Sequence, residues 1–532
     1  MNVETVDFIV VGSGSGGSVV GGRLAESGKF RTVLLEAGGS DRSLFIQMPA
    51  ATYLYALANP RYDWSYGTLP DPTRANRTDI LPRGRVLGGC TSINGMLYVR
   101  GQPEDYDDWA EAGCPGWDFA SVLPWFKKSE DNENGESRLH GAGGPLTVSN
   151  LRVSHPLSEA FLKSWGTAGL PIVDDINQVP QDGMGYVQTT QRRGQRLSAA
   201  RAFLRPAMRR GEIDVRMKAQ VTRVLFEGRQ AVGVEYRQNG RLVRLMARRG
   251  VVLAAGAFAT PQILMLSGVG PAAHLADMGI PVVHDLAGVG RNLQDHPGFT
   301  LDAAVKIPSY NTQNTIIHKA WYGAQWLFLG RGPGTTPDTH LVGFARSEPG
   351  LDRCDLQYHF GPVGYSVDEK GAALTPYPSV SVFINVSRPY SRGSVELASP
   401  DPMAHPAIQM NLMSDRRDVD VLVRGARILD RVFKSEPFGS LLASPVHPTD
   451  SLKTDAEWDD FIRKTAHGIY HPSGTCKMGR DDMAVVGPDL AVRGVGNLWI
   501  ADASIMPTVT SGNLSAPTMM IGERLAARLI GN

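Results

Sequence analysis

The sequence predicts an α/β chain of two domains, a Rossmann-like dinucleotide-binding domain and a second domain of mixed strands and helices. Three observations carry that expectation. Residues 6–39 read as a strand, a glycine-rich loop, a helix and a second strand. Apolar and polar residues alternate between Ala219 and Leu245, the mark of a half-buried hairpin. Glycine patterning then thins from about residue 300 to 452 and returns in the tail, which separates a second domain from the first.

The first of these is the most specific. An apolar β-branched run at 8–11 breaks into glycines, a helix of small residues follows, and a strand at 32–35 ends in Glu36. Gly12, Gly14 and Gly17 stand in GxGxxG spacing, with Ser15 in the same loop. Gly12 permits the tight turn, Gly14 lets the backbone approach a pyrophosphate, and Gly17 lets helix and sheet pack closely. The pyrophosphate would sit on the helix N-terminus, where free N–H groups and the helix dipole favour negative charge. Glu36 lies nineteen residues past Gly17, where a carboxylate bonds an adenosine ribose. The unit binds a dinucleotide; NAD and FAD both satisfy it.

Further along, residues 43–81 are aromatic and punctuated by proline, with no period, and read as extended chain. Gly84, Gly88 and Gly89 mark a close-approach loop, and Ile93, Met96, Leu97 and Val99 read as the start of a buried helix. Two short amphipathic helices are expected between 106 and 129, and a polar glycine-rich loop over 131–144. After the hairpin come a strand at 251–255 and a helix opened by Thr260 and Pro261, an N-cap and first-turn pair. The tail carries YHPSGTCKMG at 470–479, a strand at 498–501 ending in Asp502, and a closing helix from about Ala516.

Composition excludes other classes. With 54 basic and 53 acidic residues the net charge is near zero, which gives nucleic acid nothing to attract. Cys90, Cys114, Cys354 and Cys476 are scattered, with no disulfide or metal-ligand spacing, and fit a reduced compartment. The first apolar run contains Asp7 and dissolves into glycines, unlike a secretory leader, and no apolar stretch is long enough to cross a bilayer. The expectation is a cytoplasmic protein, with peripheral membrane contact left open.

Several blocks together resemble one family. PRGRVLGGCTSINGMLYVRG at 82–101 and GAFATPQILMLSGVGP at 256–271 are similar to the two signatures of the glucose–methanol–choline (GMC) oxidoreductases. VGRNLQDH at 289–296 and the tail, YHPSGTCKMG followed by ADASIMPTVTSGN, match the same family. The likeness is greatest to bacterial choline dehydrogenases and related alcohol dehydrogenases. It implies FAD rather than NAD. It also implies an FAD domain assembled from residues 1–155, 199–299 and 463–532, and a substrate domain from 156–198 and 300–462 with a large antiparallel sheet flanked by helices. By the same resemblance Val86, Asn94, Gly95, Met96 and Leu97 lie along the flavin, Val221 meets the adenine, and Asp502 the ribityl chain. Family members that bind flavin covalently carry a histidine where Ile93 stands here, so the FAD is expected to be non-covalent.

Oxidising an alcohol needs a hydride acceptor at carbon and a base at oxygen, and a histidine suits the second task. The resemblance assigns the base to His471 and the hydrogen-bonding partner of the substrate oxygen to Asn513. Asn513 also precedes the closing helix, where capping is its other reading. His296 reads as a structural hydrogen-bond hub. Trp64, Phe360 and Tyr470 are candidate pocket walls. A choline enzyme needs a carboxylate, and the position expected to hold it is His340, which favours a neutral alcohol, sugar or polyol. A choline dehydrogenase, and a flavin-containing lyase without net redox, are the alternatives. The electron acceptor expected is a quinone, a dye-like acceptor or oxygen.

Overall fold

The computed structural model describes residues 4–368, 371–443 and 451–531. The chain has a mixed α/β fold of two domains, each built on one large sheet with its own apolar core.

The first sheet is organised around Thr5–Val11. Its apolar run makes a central strand, parallel to Thr32–Glu36 on one side and to Arg241–Leu253 on the other. Strands buried on both faces read as continuous Val, Ile and Leu, as these do. Asp214–Met217 extends one edge, and Gln230–Gln238 and Ala219–Glu227 extend the other. The expected hairpin forms from Ala219–Glu227 and Gln230–Gln238, and the strand expected at 251 starts earlier, at Arg241, as a third strand beside it. Arg241–Leu253 pairs antiparallel with Gln230–Gln238 in its first half and parallel with Leu498–Ile500 in its second. Polar alternation gives way to the buried Val251, Val252 and Leu253 where the partner changes. Gly250 marks the change, since a Cβ there would lie 2.5 Å from the Asn497 carbonyl and the Trp499 ring.

The second sheet is antiparallel throughout. Its strand order is His467–Gly468, Pro297–Ala304, Ser379–Val386, Leu356–Gly361, Leu341–Ala345, Gly183–Tyr186. Along its strands neighbouring residues face opposite ways. Phe299, Leu301, Tyr358, Phe360, Val382 and Ile384 enter one core with the helices Pro156–Thr167 and Arg416–Lys434. Gly425 lets the longer helix lie on the strands, for a Cβ there would meet Leu356 and Ile384.

Four local expectations change. Residues 43–81 are not simply extended. They hold two short helices, Leu44–Gln47 and Pro49–Tyr55, and a small hairpin of Tyr66–Gly67 with Ile80–Leu81. The buried helix expected at Ile93 does not form. A 3₁₀ turn, Gly89–Ser92, precedes irregular chain in which Met96 has φ +62°. Its apolar residues are buried as expected, but Asn94 bonds the Met96 N–H through its own side chain at 3.0 Å and so replaces a helical bond. The helix expected from Thr260 starts earlier, at Gly256, and runs to Leu266 with Pro261 inside it. Proline leaves the Ala257 carbonyl without its helical donor, and the Thr475 hydroxyl fills that vacancy at 2.7 Å. The fourth is the early start of the strand at 251, already described. The two helices expected between 106 and 129 are Pro103–Glu111 and Phe119–Ser129, with Pro124 inside the second. Among the described residues no helix is long and apolar enough to cross a membrane.

Candidate active site

A cavity of about 2000 Å³ lies between the two sheets and is lined by both. Single-ligand pockets span roughly 300–1,000 Å³, so this space accommodates a dinucleotide and a substrate together.

The first sheet offers the cavity mostly backbone. Gly12, Gly14, Ser15 and Glu36 line it, with Val221, Asp502 and the turn Asn94, Gly95, Met96 and Leu97. Gly12 has φ +96° and no room for a side chain, since a Cβ would lie 2.4 Å from the Ala254 carbonyl. A Cβ on Gly14 would meet nothing within 4 Å, so its outer face is open to the cavity. Gly89 closes over the same loop, where a Cβ would come within 2.8 Å of the Gly14 Cα. The helix Ser15–Glu26 begins there without a side-chain cap, leaving its first N–H groups for a ligand. These features fit a dinucleotide pyrophosphate. Glu36 is buried, and burial raises its pKa. Its carboxylate accepts from the Ser13 and Gly38 N–H groups at 3.0 and 2.7 Å, so it also ties the loop together. Asp502 accepts from Gly256 N–H at 2.9 Å and Thr260 Oγ1 at 2.6 Å, which locks the next helix start to the tail.

Two cofactor candidates stand elsewhere. Gly17 packs helix on strand, with a Cβ position 2.0 Å from the Gly12 carbonyl. Val86 does not line the cavity but is fully buried, with Ile46, Tyr62 and Ile93.

The second sheet offers side chains. Thr300 and Asp302, His359, and Ser381 and Phe383 alternate with the core residues and point at the cavity. Phe383 sits between Thr300 and His359, and Ser381 between Asp302 and Gly361. This parity corrects the wall expected at Phe360. That ring lies on the opposite face, stacked on Phe161 at 4.2 Å, and its neighbour His359 is the cavity residue. His340 is not a wall either. It is fully buried, and its Nδ1 lies 3.1 Å from Ser158 Oγ on the helix Pro156–Thr167. Trp64 and Tyr470 do line the cavity.

His471 and Asn513 come together at the cavity, Nε2 to Nδ2, at 3.1 Å. Behind His471 is His296, with the two Nδ1 atoms 2.9 Å apart, and behind His296 is the Thr510 carbonyl, 3.0 Å from its Nε2. The carbonyl accepts only, so His296 Nε2 carries the proton. Burial pushes the His296 pKa down to about 4, which leaves its Nδ1 bare to accept from His471 Nδ1–H. His471 Nε2 is then the bare nitrogen, turned to Asn513 and the cavity. Burial first, then His296, His359 and Arg83, hold the His471 pKa well below its ordinary value.

Asp295 positions both histidines by accepting their backbone N–H groups, each at 2.8 Å. Burial pushes its pKa up to about 7. Asp295, His296 and His471 together bring three metal-ligating atoms within 4.8 Å. The imidazole nitrogens in that group already bond one another. Tyr470, next to His471, has φ +66°, a conformation that costs roughly 1–2 kcal/mol outside glycine. Arg83 Nη2, 2.6 Å from the Tyr470 carbonyl, holds it there.

Asn513 does not cap the closing helix Ser515–Ile530, which starts without a side-chain cap. Its Oδ1 is buried without a hydrogen-bond partner. Arg196, missed in the sequence, also lines the cavity. It is fully buried and donates to Ile46 O, Thr91 O, Asn94 Oδ1 and Thr52 Oγ1 at 2.9–3.2 Å, clamping the short helices to the Asn94 turn.

Profiles described as GMC oxidoreductase match residues 6–298 and 389–522. The chain is 43% identical over 528 residues to the oxygen-dependent choline dehydrogenase of Sinorhizobium medicae (strain WSM419), covering 99% of this chain and 95% of that protein. It is 42% identical over 533 residues to the mitochondrial choline dehydrogenase of Homo sapiens, covering 98% and 89%. Among solved structures, the crystal structure of pyridoxine 4-oxidase from Mesorbium loti matches with a TM-score of 0.89 and 28% identity over 99% of each chain.

Proposed function

The chain belongs to the GMC oxidoreductase family and uses FAD to oxidise alcohols at a CH–OH carbon, and from that premise we propose that its substrate carries a cationic head, as choline does. Bound FAD supplies the hydride acceptor. The residues of the chain handle the oxygen. A hydroxyl inserted between His471 and Asn513 donates its proton to His471 Nε2 and accepts from Asn513 Nδ2. His296 receives the His471 Nδ1–H and so keeps the reactive nitrogen bare. Orienting the hydroxyl in this way contributes to rate by removing the search for a reactive pose.

Asp302 carries the reading of the substrate. It lines the cavity on the sheet face that holds Thr300, His359 and Phe383. Burial pushes its pKa up to about 7, and Tyr365 N–H at 3.3 Å donates to it. Among the described residues no lysine, arginine or histidine pairs with it. Tyr310, Tyr365 and Phe383 line the same cavity with aromatic side chains. A carboxylate without a cation, in a cavity with aromatic rings, favours a quaternary ammonium. The neutral-alcohol preference rested on His340, which faces a helix and not the cavity, and the named relatives are choline dehydrogenases.

Anaerobic bleaching of the flavin by choline and by its uncharged isostere 3,3-dimethylbutan-1-ol tests this. Choline is expected to have a kcat/KM about tenfold or more above the isostere, one buried charge contact being worth ~1.4 kcal/mol or more. Asp302→Asn is expected to remove that advantage and leave the isostere within about twofold. Because the raised pKa keeps Asp302 protonated in acid, KM for choline should fall as pH rises through about 7, while KM for the isostere stays flat. Equal KM values for both alcohols at every pH would refute the assignment.

A further inference from the structure

The tail bends between the two groups it supplies to the site. Thr510 gives the carbonyl next to His296 Nε2, and Asn513 faces His471. Between them Ser511 is fully buried and does not line the cavity. Its N–H donates to Asp105 Oδ2 at 2.7 Å and its hydroxyl to Asp105 Oδ1 at 2.9 Å. Asp105 is buried in the first turn of the helix Pro103–Glu111, and its Oδ2 also accepts from the Gln102 N–H at 2.8 Å. Capping that helix occupies one oxygen and one donor. The remaining two donors come from the tail, so the carboxylate ties the first turn of a helix to the segment that carries the reacting groups. Two glycines make room for this. Gly101 has φ +89°, and a Cβ there would lie 2.8 Å from Asp105 Oδ2 and 3.1 Å from Thr510 Cβ. Gly512 has φ +120°, and a Cβ there would lie 2.6 Å from Val99 Cγ1. The bend is therefore seated on the chain at 99–101, and Asp105 is the side chain that pins it.

We propose that Asp105 is a positioning residue for alcohol oxidation, holding Thr510 and Asn513 at the spacing that keeps His471 Nε2 bare and opposite the Asn513 amide. Asp105 itself does not line the cavity. A tail that slides at Ser511 carries the Thr510 carbonyl away from His296. The His296 proton is then free to sit on Nδ1, where it donates to His471 Nδ1. His471 in that pairing holds its own proton on Nε2, and a protonated Nε2 cannot accept from a hydroxyl. The same slide draws Asn513 Nδ2 off the hydroxyl. Both changes strike the oxidation step more than the binding of the alcohol, which the side chains of the second sheet govern. The inference rests on the pairing of His471 with Asn513 proposed above, and not on which alcohol is the substrate.

A double-mutant cycle read by anaerobic stopped flow tests it, using the FAD-loaded full-length protein and whichever of choline and 3,3-dimethylbutan-1-ol bleaches the flavin faster. Asp105→Ala is expected to slow flavin reduction about 10- to 100-fold and to leave the Kd of the alcohol within about threefold. In a His471→Ala background the same substitution is expected to slow reduction by less than about threefold, since no base is left to position. Asp105→Asn is expected to regain most of the rate, because its amide oxygen accepts from both N–H groups and its NH2 donates to Ser511 Oγ. Should Asp105→Ala yield too little flavoprotein, Ser511→Ala, which loses a single bond, goes through the same cycle with an expected fall of about three- to tenfold. Equal losses in the two backgrounds would reduce Asp105 to a packing role and overturn the proposal. A loss confined to Kd would overturn it as well. A slow His471→Ala beside an unaffected Asp105→Ala would refute this inference alone, whereas a His471→Ala as fast as wild type would refute the base and this inference with it.

Discussion

The two walls of the cavity are built by opposite means. The first sheet presents backbone: Gly89 closes on Gly14, and Gly12 on the Ala254 carbonyl, because neither Gly89 nor Gly12 has a side chain. The second presents side chains: Thr300, Asp302, His359 and Phe383 reach the cavity because of their parity on antiparallel strands. A wall made of backbone is intolerant of added atoms, and its free N–H groups favour negative charge whatever the side chains. A wall made of side chains tolerates changes of size and governs which molecule enters. The tail joins them, placing His471 and Asn513 at the seam.

The comparison can be broken first at the seam. His471→Ala should lower flavin reduction by alcohol about 10²–10⁴-fold with flavin still bound, measured by anaerobic stopped flow. Unchanged reduction would remove the base from this position. On the backbone wall, Gly12→Ala should destabilise by about 2–4 kcal/mol and yield flavin-poor protein, since it adds a clash to a positive φ. Flavin content and thermal midpoint read this directly. On the other wall, the neighbours His359 and Phe360 should separate. Phe360→Leu is expected to lower stability by about 1–2 kcal/mol and leave KM alone, whereas His359→Gln should shift KM more than the melting temperature. The smallest effect expected is that of Thr475→Val. It leaves the Ala257 carbonyl unsatisfied and should cost about 1 kcal/mol, seen as a fall of about a degree or two in the melting temperature.

This division also explains what could be read in advance. Backbone approach demands glycine at fixed spacing, so the loop at Gly12 and the acid at Glu36 were visible in the chain itself. The motif around His471 was visible through family likeness. Phe360 was placed one residue out of register, since alternation does not say which face is the cavity until the helices Pro156–Thr167 and Arg416–Lys434 cover the other. Val86 fell within a signature yet packs inward, because a motif marks a loop and not the direction of each side chain in it. Arg196 left no signal. Its partners are neutral groups from positions 46, 52, 91 and 94, and only folding gathers them. The turn at Ile93 looked helical because its apolar spacing fits a helix, but Asn94 took the hydrogen bond a helix would have used.

The first and last helices of the chain are packed together. Glu523 on Ser515–Ile530 receives Arg23 of Ser15–Glu26 at 2.7 Å, and Gly16 leaves no space for a Cβ beside the Ala501 carbonyl. On a ribosome this means that the helix Ser15–Glu26 is made nearly 500 residues before the helix that packs on it. At ordinary elongation speeds of about 5–20 residues per second the wait is on the order of a minute. Throughout that interval the nascent chain lacks the strand Leu498–Ile500 and the helix behind it. The full packing around the phosphate-binding loop therefore forms only after residues 498–530 have been made. A chain cut before residue 498 would keep every glycine of the motif but lose the strand and helix that back it.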